Sequence, residues 1–140
     1  PSSEISFKYR STNLSKDIIY LSGTFKGKLS KKNIVKKKIE ELKSKKELSQ
    51  PIRVKTSGST FKNPVNQTDK KVWELIKESI DINETNKMFG DANVSEKHCN
   101  FLINKEKASS KDMKNLINFI KENVYKKTGV NLDLEIVLTS

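Results

Sequence analysis

The run from Ser109 to Gly129 constrains this chain more than any other stretch. Ser109 and Asp112, three residues apart, have the form of a capping box, and Met113, Leu116, Ile117, Ile120 and Val124 recur at helical spacing. Gly129 then suits the left-handed position that ends a helix. A helix with one apolar stripe gains little from propensity alone and must lie against a second layer. The rest of the chain has to supply that layer.

Several segments offer it. Phe7 to Ser11 alternates apolar and basic residues, and Ser11 to Ser15 is rich in turn formers. Ile18, Tyr20, Thr24 and Lys26 fall on one side of a candidate strand, with Ile19, Leu21 and Phe25 on the other after a slip near Gly23. From an N-cap at Ser30 to about Leu48, Val35, Ile39 and Leu42 mark one face of a helix whose opposite face is lysine. Pro51 ends it, and Ile52 to Val54 reads as a short strand. Asp69 is placed to cap a second helix bearing Val72, Trp73, Leu75, Ile76 and Ile80, with Trp73 expected in the core. Ile82 to Asn93 is polar and irregular apart from Met88-Phe89, and Val94 to Asn104 reads as one strand. Leu132 to Leu138 reads as the last strand. The pattern predicts an α+β fold, a small mixed or antiparallel sheet with helices packed on one side.

At 140 residues there is chain for one domain with a real core. No apolar run approaches the about 20 residues that a bilayer span needs. The first residues have neither the basic nor the apolar region of a secretory signal. Cys99 is the only cysteine, so no internal disulfide forms, as suits a reducing cytoplasm. A net charge of +11 invites a nucleic-acid partner. Only Arg10 and Arg53 of the 28 basic residues are arginine, the fork that base-edge and bidentate phosphate recognition favour, and the lysines are spread along the whole chain. Solvated lysine faces are the simpler reading, and no specific nucleic-acid partner or membrane is expected.

Chemistry concentrates at Gly58-Ser59-Thr60-Phe61-Lys62-Asn63-Pro64, read as a loop facing a ligand rather than a core. Gly58 permits backbone that a Cβ would forbid, Pro64 fixes φ, and two hydroxyls, an ammonium and an amide between them can orient a polyanion. Glu135, inside an apolar strand, is either on a solvated face or in a site that tunes its protonation. No metal-ligand spacing is present.

Four segments, in order, carry a resemblance to a known family: Phe7-Lys8-Tyr9-Arg10-Ser11; Ser49-Gln50-Pro51-Ile52-Arg53 leading into Gly58 to Pro64; Val94 to Asn104; and Gly129 to Val137. The chain resembles the C-terminal part of the UDP-N-acetylenolpyruvoylglucosamine reductases, bacterial cytoplasmic flavoenzymes of peptidoglycan synthesis. The resemblance covers nearly all of the chain. It implies reduction of FAD by NADPH, hydride addition to the enolpyruvyl group of UDP-N-acetylglucosamine enolpyruvate, and protonation of the resulting carbanion by Ser59. It further implies that Arg10 and Glu135 are catalytic, polarising the substrate carboxylate with Tyr9 alongside, and that Lys46, Lys62, Asn63 and His98 bind substrate. For His98 a purely structural role is the competing reading.

Where relatives carry a basic residue in a Gly-rich stretch, this chain has Thr85 and its neighbours, with Lys87 as the nearest replacement. The flavin-binding half has no counterpart, so residues 1–29 are expected to be the terminal edge of that domain and 30–140 the substrate-binding domain. The chain alone should neither hold flavin nor turn over. The alternatives are a non-catalytic basic module for RNA or another anionic partner, and a decayed remnant of the reductase.

Overall fold

The computed structural model describes residues 2–15 and 17–138. The chain forms two compact units, Pro1–Val35 and Lys36–Ser140.

In the first unit a short 3-10 turn, Ser2–Glu4, precedes a hairpin of β1 (Phe7–Lys8) and β2 (Ser11–Thr12). Phe7 pairs with Thr12 and Lys8 with Ser11, which puts Tyr9 and Arg10 at the two-residue tip. The turn expected beyond Ser11 is therefore two residues early in the chain. Asn13 lengthens the hairpin, its N–H donating to the Ser6 carbonyl (3.2 Å) and its Oδ1 accepting from the Ser6 N–H (2.8 Å). From residue 18 to residue 31 there is neither helix nor strand, so the strand expected over Ile18 to Lys26 does not form. Leu21 and Phe25 are 92% and 94% exposed. An extended segment becomes a strand only when a neighbouring strand takes its backbone groups and one of its faces, and among the described residues of this unit none does.

Helix α1 (Lys32–Ser49) starts from the Lys31 carbonyl, which accepts from Ile34 and Val35 (3.0 and 3.1 Å), rather than from a Ser30 cap. No residue of it is buried, and Val35, Ile39 and Leu42 are exposed.

The second unit holds a three-stranded antiparallel sheet, β3 (Lys55–Ser59), β5 (Phe101–Asn104) and β4 (Ala92–Val94), in the order β3-β5-β4. The strand expected over Ile52 to Val54 thus begins later, at Lys55. Val94 to Asn104 is not one strand either. It is the β4–β5 hairpin, turned where the Ser95 N–H donates to the Phe101 carbonyl (2.9 Å) and the Phe101 N–H to the His98 carbonyl (2.9 Å).

Helices α2 (Val72–Ser79), α3 (Ile82–Thr85) and α4 (Ser110–Thr128) complete the unit. Helix α4 is as its sequence dictates: Ser109 accepts from the Asp112 N–H (3.1 Å), Asp112 accepts from Ser109, and Gly129 ends it at φ 72°. Helix α2 is capped differently from expectation. Asp69 takes no part; the Lys71 N–H donates to Glu74 (2.7 Å) and the Val72 N–H to Asn63 Oδ1 (3.0 Å). Val72, Leu75 and Ile76 of α2 and Leu116, Ile117, Ile120 and Val124 of α4 form one core with Ala92, Val94 and Leu102. In the pleat, Ala92, Val94 and Leu102 share one face, so the helices cover one side of the sheet, as the α+β pattern predicts.

Residues 132–138 do not form the expected strand. A single antiparallel bridge joins Leu134 to Phe61, flanked by Lys62 N–H to the Asp133 carbonyl (2.8 Å) and Glu135 N–H to the Thr60 carbonyl (2.9 Å). The other edge of Phe61 is taken by a side chain rather than a strand, as follows.

Candidate functional site

The sequence around Gly58 folds as the end of a strand and then a bridge, not as a free loop. Thr56 lies opposite Ile103 and Ser59 opposite Phe101, so three steps on β3 match two on β5. Gly58 absorbs the extra residue at φ 89°, in the left-handed region, and Thr56 Oγ1 mends the gap by accepting from the Gly58 N–H (3.2 Å) and donating to the Leu102 carbonyl (2.7 Å). The bulge re-aims Ser59. Directly paired residues share a face, so Ser59 joins Phe101 on the face opposite Ala92, Val94 and Leu102, which pack against α2 and α4.

Thr60 and Phe61 were expected to face a ligand and instead are 0% and 1% exposed. Phe61 is a core residue. Its backbone is held by Asn100, whose Oδ1 accepts from the Phe61 N–H and whose Nδ2 donates to the Phe61 carbonyl, both at 2.9 Å. The Asn100 carbonyl also accepts from the Thr60 N–H (2.8 Å). One side-chain amide thus stands in for a length of β-strand. Asn86 does the same for Val94 (2.7 and 3.1 Å), Asn104 for Ala108 (3.0 and 3.1 Å) and Gln67 for Asn131 (2.9 and 2.9 Å).

These contacts bring Ser59, Lys62, Asn63 and Glu135 onto neighbouring lengths of backbone. Lys62, Asn63 and Glu135 are half-buried, and Asn63 spends its amide oxygen on the first turn of α2. His98 reaches the same region through Phe101, Ser59's partner, against whose ring it packs edge-on at 4.9 Å. Burial lowers the His98 pKa from its ordinary 6.5, so the ring is neutral near pH 7. Its Nδ1 accepts from the Asn100 N–H (3.3 Å), which leaves the proton on Nε2.

Lys46 is exposed in the last turn of α1, whose Glu47 carbonyl accepts from the Lys97 ammonium. Tyr9 and Arg10 belong to the first unit. Arg10 has φ 54°, a conformation that costs a non-glycine residue about 1–2 kcal/mol, and its guanidinium lies 5.7 Å from the Tyr9 ring centre. Thr85 is buried and donates to the Asp81 carbonyl (2.6 Å), while Lys87 is exposed and paired with Glu84 (2.6 Å).

Trp73 corrects the sequence reading. It is 41% exposed and borders a hollow of about 390 Å³ with Lys77, Ile82, Lys97, His98 and Cys99. Val72, Leu75 and Ile76 take the core-facing positions of α2, which leaves Trp73 on its flank. Burial raises the Cys99 thiol pKa, with nearby Lys77 opposing. A second hollow, about 420 Å³, is bordered by the Lys70–Glu78 pair (2.7 Å) and Lys127. Among the described residues no three His, Cys, Asp or Glu side chains are grouped to hold a metal ion, and no helix is long and apolar enough to cross a membrane.

Sequence reasoning missed Asn100 and Trp73. An asparagine between His98 and an apolar run, and a tryptophan beside rather than on the apolar stripe, were the available signals.

Fold and site define a class: an α+β domain in which a bulged strand end carries Ser59 next to a bridge between Phe61 and the C-terminal segment. The sequence model for the UDP-N-acetylenolpyruvoylglucosamine reductase C-terminal domain matches residues 50–139, and the chain belongs to that family. A relative of that name from Pelagibacter ubique (strain HTCC1062) is 53% identical over 136 residues, 97% of this chain. Another, from Rickettsia typhi (strain ATCC VR-144 / Wilmington), is 41% identical over 133 residues, or 95% of the chain. The chain spans only 44% and 43% of these relatives' lengths.

Proposed function

We propose that this chain is the substrate-binding and proton-donating part of a bacterial cytoplasmic reductase that converts UDP-N-acetylglucosamine enolpyruvate to UDP-N-acetylmuramate, with FAD and NADPH as cofactors. The observation that carries it is the placement of Ser59: a bulge at Gly58 puts it on the sheet face opposite α2 and α4, paired with Phe101 and one residue from the Thr60 carbonyl that accepts from the Glu135 N–H.

The residues present do not fit a flavin. The five glycines, at 23, 27, 58, 90 and 129, form no phosphate-cradling loop. Flavin and NADPH would be bound by the portion of the enzyme that relatives have beyond this chain, and hydride chemistry belongs there. What this chain contributes is binding and proton transfer. A serine hydroxyl is a weak acid, so it donates effectively only when held against a carbon that has become carbanionic. Arg10 and Glu135 would stabilise charge on the substrate carboxylate, with Tyr9 beside them. Lys46, Lys62, Asn63 and the neutral His98 would hold the UDP-sugar.

The domain division proposed is 1–29 as the edge of the flavin-binding domain and 30–140 as the substrate domain. The exposed apolar residues over Ile18 to Leu29 support it, because a run of β-branched and aromatic residues suits a strand completed by that other half. A non-catalytic basic module is not favoured: likeness to reductases extends over 97% of the chain, through every segment that carries a proposed site residue.

The test is transient kinetics on the complete enzyme, with this chain joined to a flavin-binding half. Ser59→Ala should leave flavin reduction by NADPH within about twofold while slowing reoxidation by the enolpyruvyl substrate by about 10²-fold or more, the scale of general acid catalysis. Equal loss in both half-reactions would sink the assignment.

A further inference from the structure

Ser59 and Glu135 are fastened to the sheet in different ways, and one residue joins them. Ser59 is held on β5 directly, paired with Phe101. Glu135 is two steps removed: its segment bridges to residues 60–62, and these are held in turn by Asn100, the residue before Phe101.

The rigidity of the peptide unit couples the two steps. Each unit is a plane whose carbonyl and N–H point to opposite edges. In the plane between Thr60 and Phe61, Asn100 Oδ1 accepts from the Phe61 N–H at one edge (2.9 Å), and the Thr60 carbonyl accepts from the Glu135 N–H at the other (2.9 Å). In the plane between Phe61 and Lys62, Asn100 Nδ2 donates to the Phe61 carbonyl (2.9 Å), and the Lys62 N–H donates to the Asp133 carbonyl (2.8 Å). Both planes are therefore gripped by one amide on one side and by the residues around Leu134 on the other. The amide sets their tilt, and with it the direction in which Glu135 is presented. Asn100 is itself 6% exposed, so what it does for a ligand it does through the residues it holds.

Resting on the functional reading above, we infer that Asn100 is a positioning residue for the reaction: its side-chain amide sets the Glu135 segment against Ser59, so that the charge-stabilising carboxyl and the proton donor reach the same substrate. Misplacement by about 1 Å can slow a reaction by about 10²-fold.

Transient kinetics on the complete enzyme read this out. Asn100→Gln keeps the amide but sets it one methylene farther from β5, so it satisfies Phe61 only by shifting it. At saturating enolpyruvyl substrate it should slow flavin reoxidation by about 10- to 100-fold, with flavin reduction by NADPH within about twofold. Asn100→Asp adds a signature that a merely structural residue lacks. A protonated carboxyl offers one acceptor and one O–H donor, the same pair as the amide, whereas a carboxylate only accepts. Its reoxidation rate, divided by the wild-type rate at each pH, should rise at least tenfold toward unity as pH falls through the raised pKa of the buried carboxyl. The ratio cancels the neighbouring groups that both enzymes share: His98 and Cys99 on the same turn, Lys62, Asp133 and Glu135 on the adjoining segments, and Lys77 on α2. Ser109→Ala, which opens the α4 cap made with Asp112, is the control for lost stability and should reoxidise within about twofold. Circular dichroism melting checks that each variant folds.

Reoxidation at the wild-type rate in Asn100→Gln, a flat pH ratio in Asn100→Asp, or a loss in Ser109→Ala as large as that in Asn100→Gln would each overturn the inference. Ser59→Ala, measured alongside, separates it from the functional reading. If that variant blocks reoxidation and the Asn100 variants do not, the positioning role falls and the reductase reading stands; if it does not block reoxidation, the reading falls and the inference with it.

Discussion

Asn100 and Gln67 make the same pair of hydrogen bonds in two different environments, and that permits a controlled prediction. Each amide accepts from one backbone N–H and donates to the carbonyl of the same residue, at 2.9 Å in all four bonds. The Asn100 pair is buried against Phe61, 1% exposed, whereas the Gln67 pair on Asn131 lies at the surface. Asn100→Ala strands two buried backbone groups, each worth about 1–3 kcal/mol when left unmade, so the cost should be about 2–6 kcal/mol. That is a large part of the about 5–15 kcal/mol that holds an ordinary domain together. Gln67→Ala exposes the same two groups to water, and should cost only about 0.5–1.5 kcal/mol. Urea unfolding followed through Trp73 emission measures both. Asn100→Asp adds a sign test. It keeps the acceptor for the Phe61 N–H but sets a carboxylate against the Phe61 carbonyl, so its folded pKa is raised above the unfolded value of about 3.9. The proton it gains stabilises the fold fully below the unfolded pKa, and that contribution is lost as pH rises through the folded pKa. Equal costs for Asn100→Ala and Gln67→Ala, or an Asn100→Asp variant indifferent to pH, would refute the argument that burial decides.

The single histidine gives a second check. His98 should titrate in NMR below its ordinary 6.5, and its neutral folded form means stability present above that value and lost as pH falls toward the folded pKa; His98→Gln should flatten this slope. Cys99, buried and with its thiol pKa raised, should react with a disulfide reagent at neutral pH at least tenfold more slowly in the native chain than in urea; equal rates would contradict its burial.

Where local chemistry decides the outcome, the sequence was legible. Ser109, Asp112 and Gly129 act within one helix, and α4 has the caps and stripe they predict. Where a partner decides, it was not. Ile18 to Lys26 has a strand's β-branched and aromatic residues but no strand beside it among the described residues of its unit, and Leu132 to Leu138 yields one bridge, Leu134 to Phe61. The Val94 to Asn104 segment hid a hairpin, since Glu96 to His98 carries no glycine or proline to announce a turn. For the site, Ser59, Lys62, Asn63, His98 and Glu135 were named from the family pattern, and the structure supplies what their spacing could not. It shows that the intervening Thr60 and Phe61 point inward, and that Asn63 also serves α2. Trp73 was assigned to the core by residue type, although its neighbours had already filled the helical stripe.

The side-chain clamp on Phe61 has a kinetic consequence. A strand paired through backbone releases its neighbour only by unzipping, residue after residue, whereas an amide held by two side-chain torsions lets go by rotating. The Phe61 N–H should therefore exchange with solvent on a schedule set by one rotamer, faster than the Ile103 N–H in the adjoining ladder. Asn100 is a latch on Phe61 alone; the backbone bonds of Thr60 to Asn100, Lys62 to Asp133 and Glu135 to Thr60 hold its neighbours in the ordinary way.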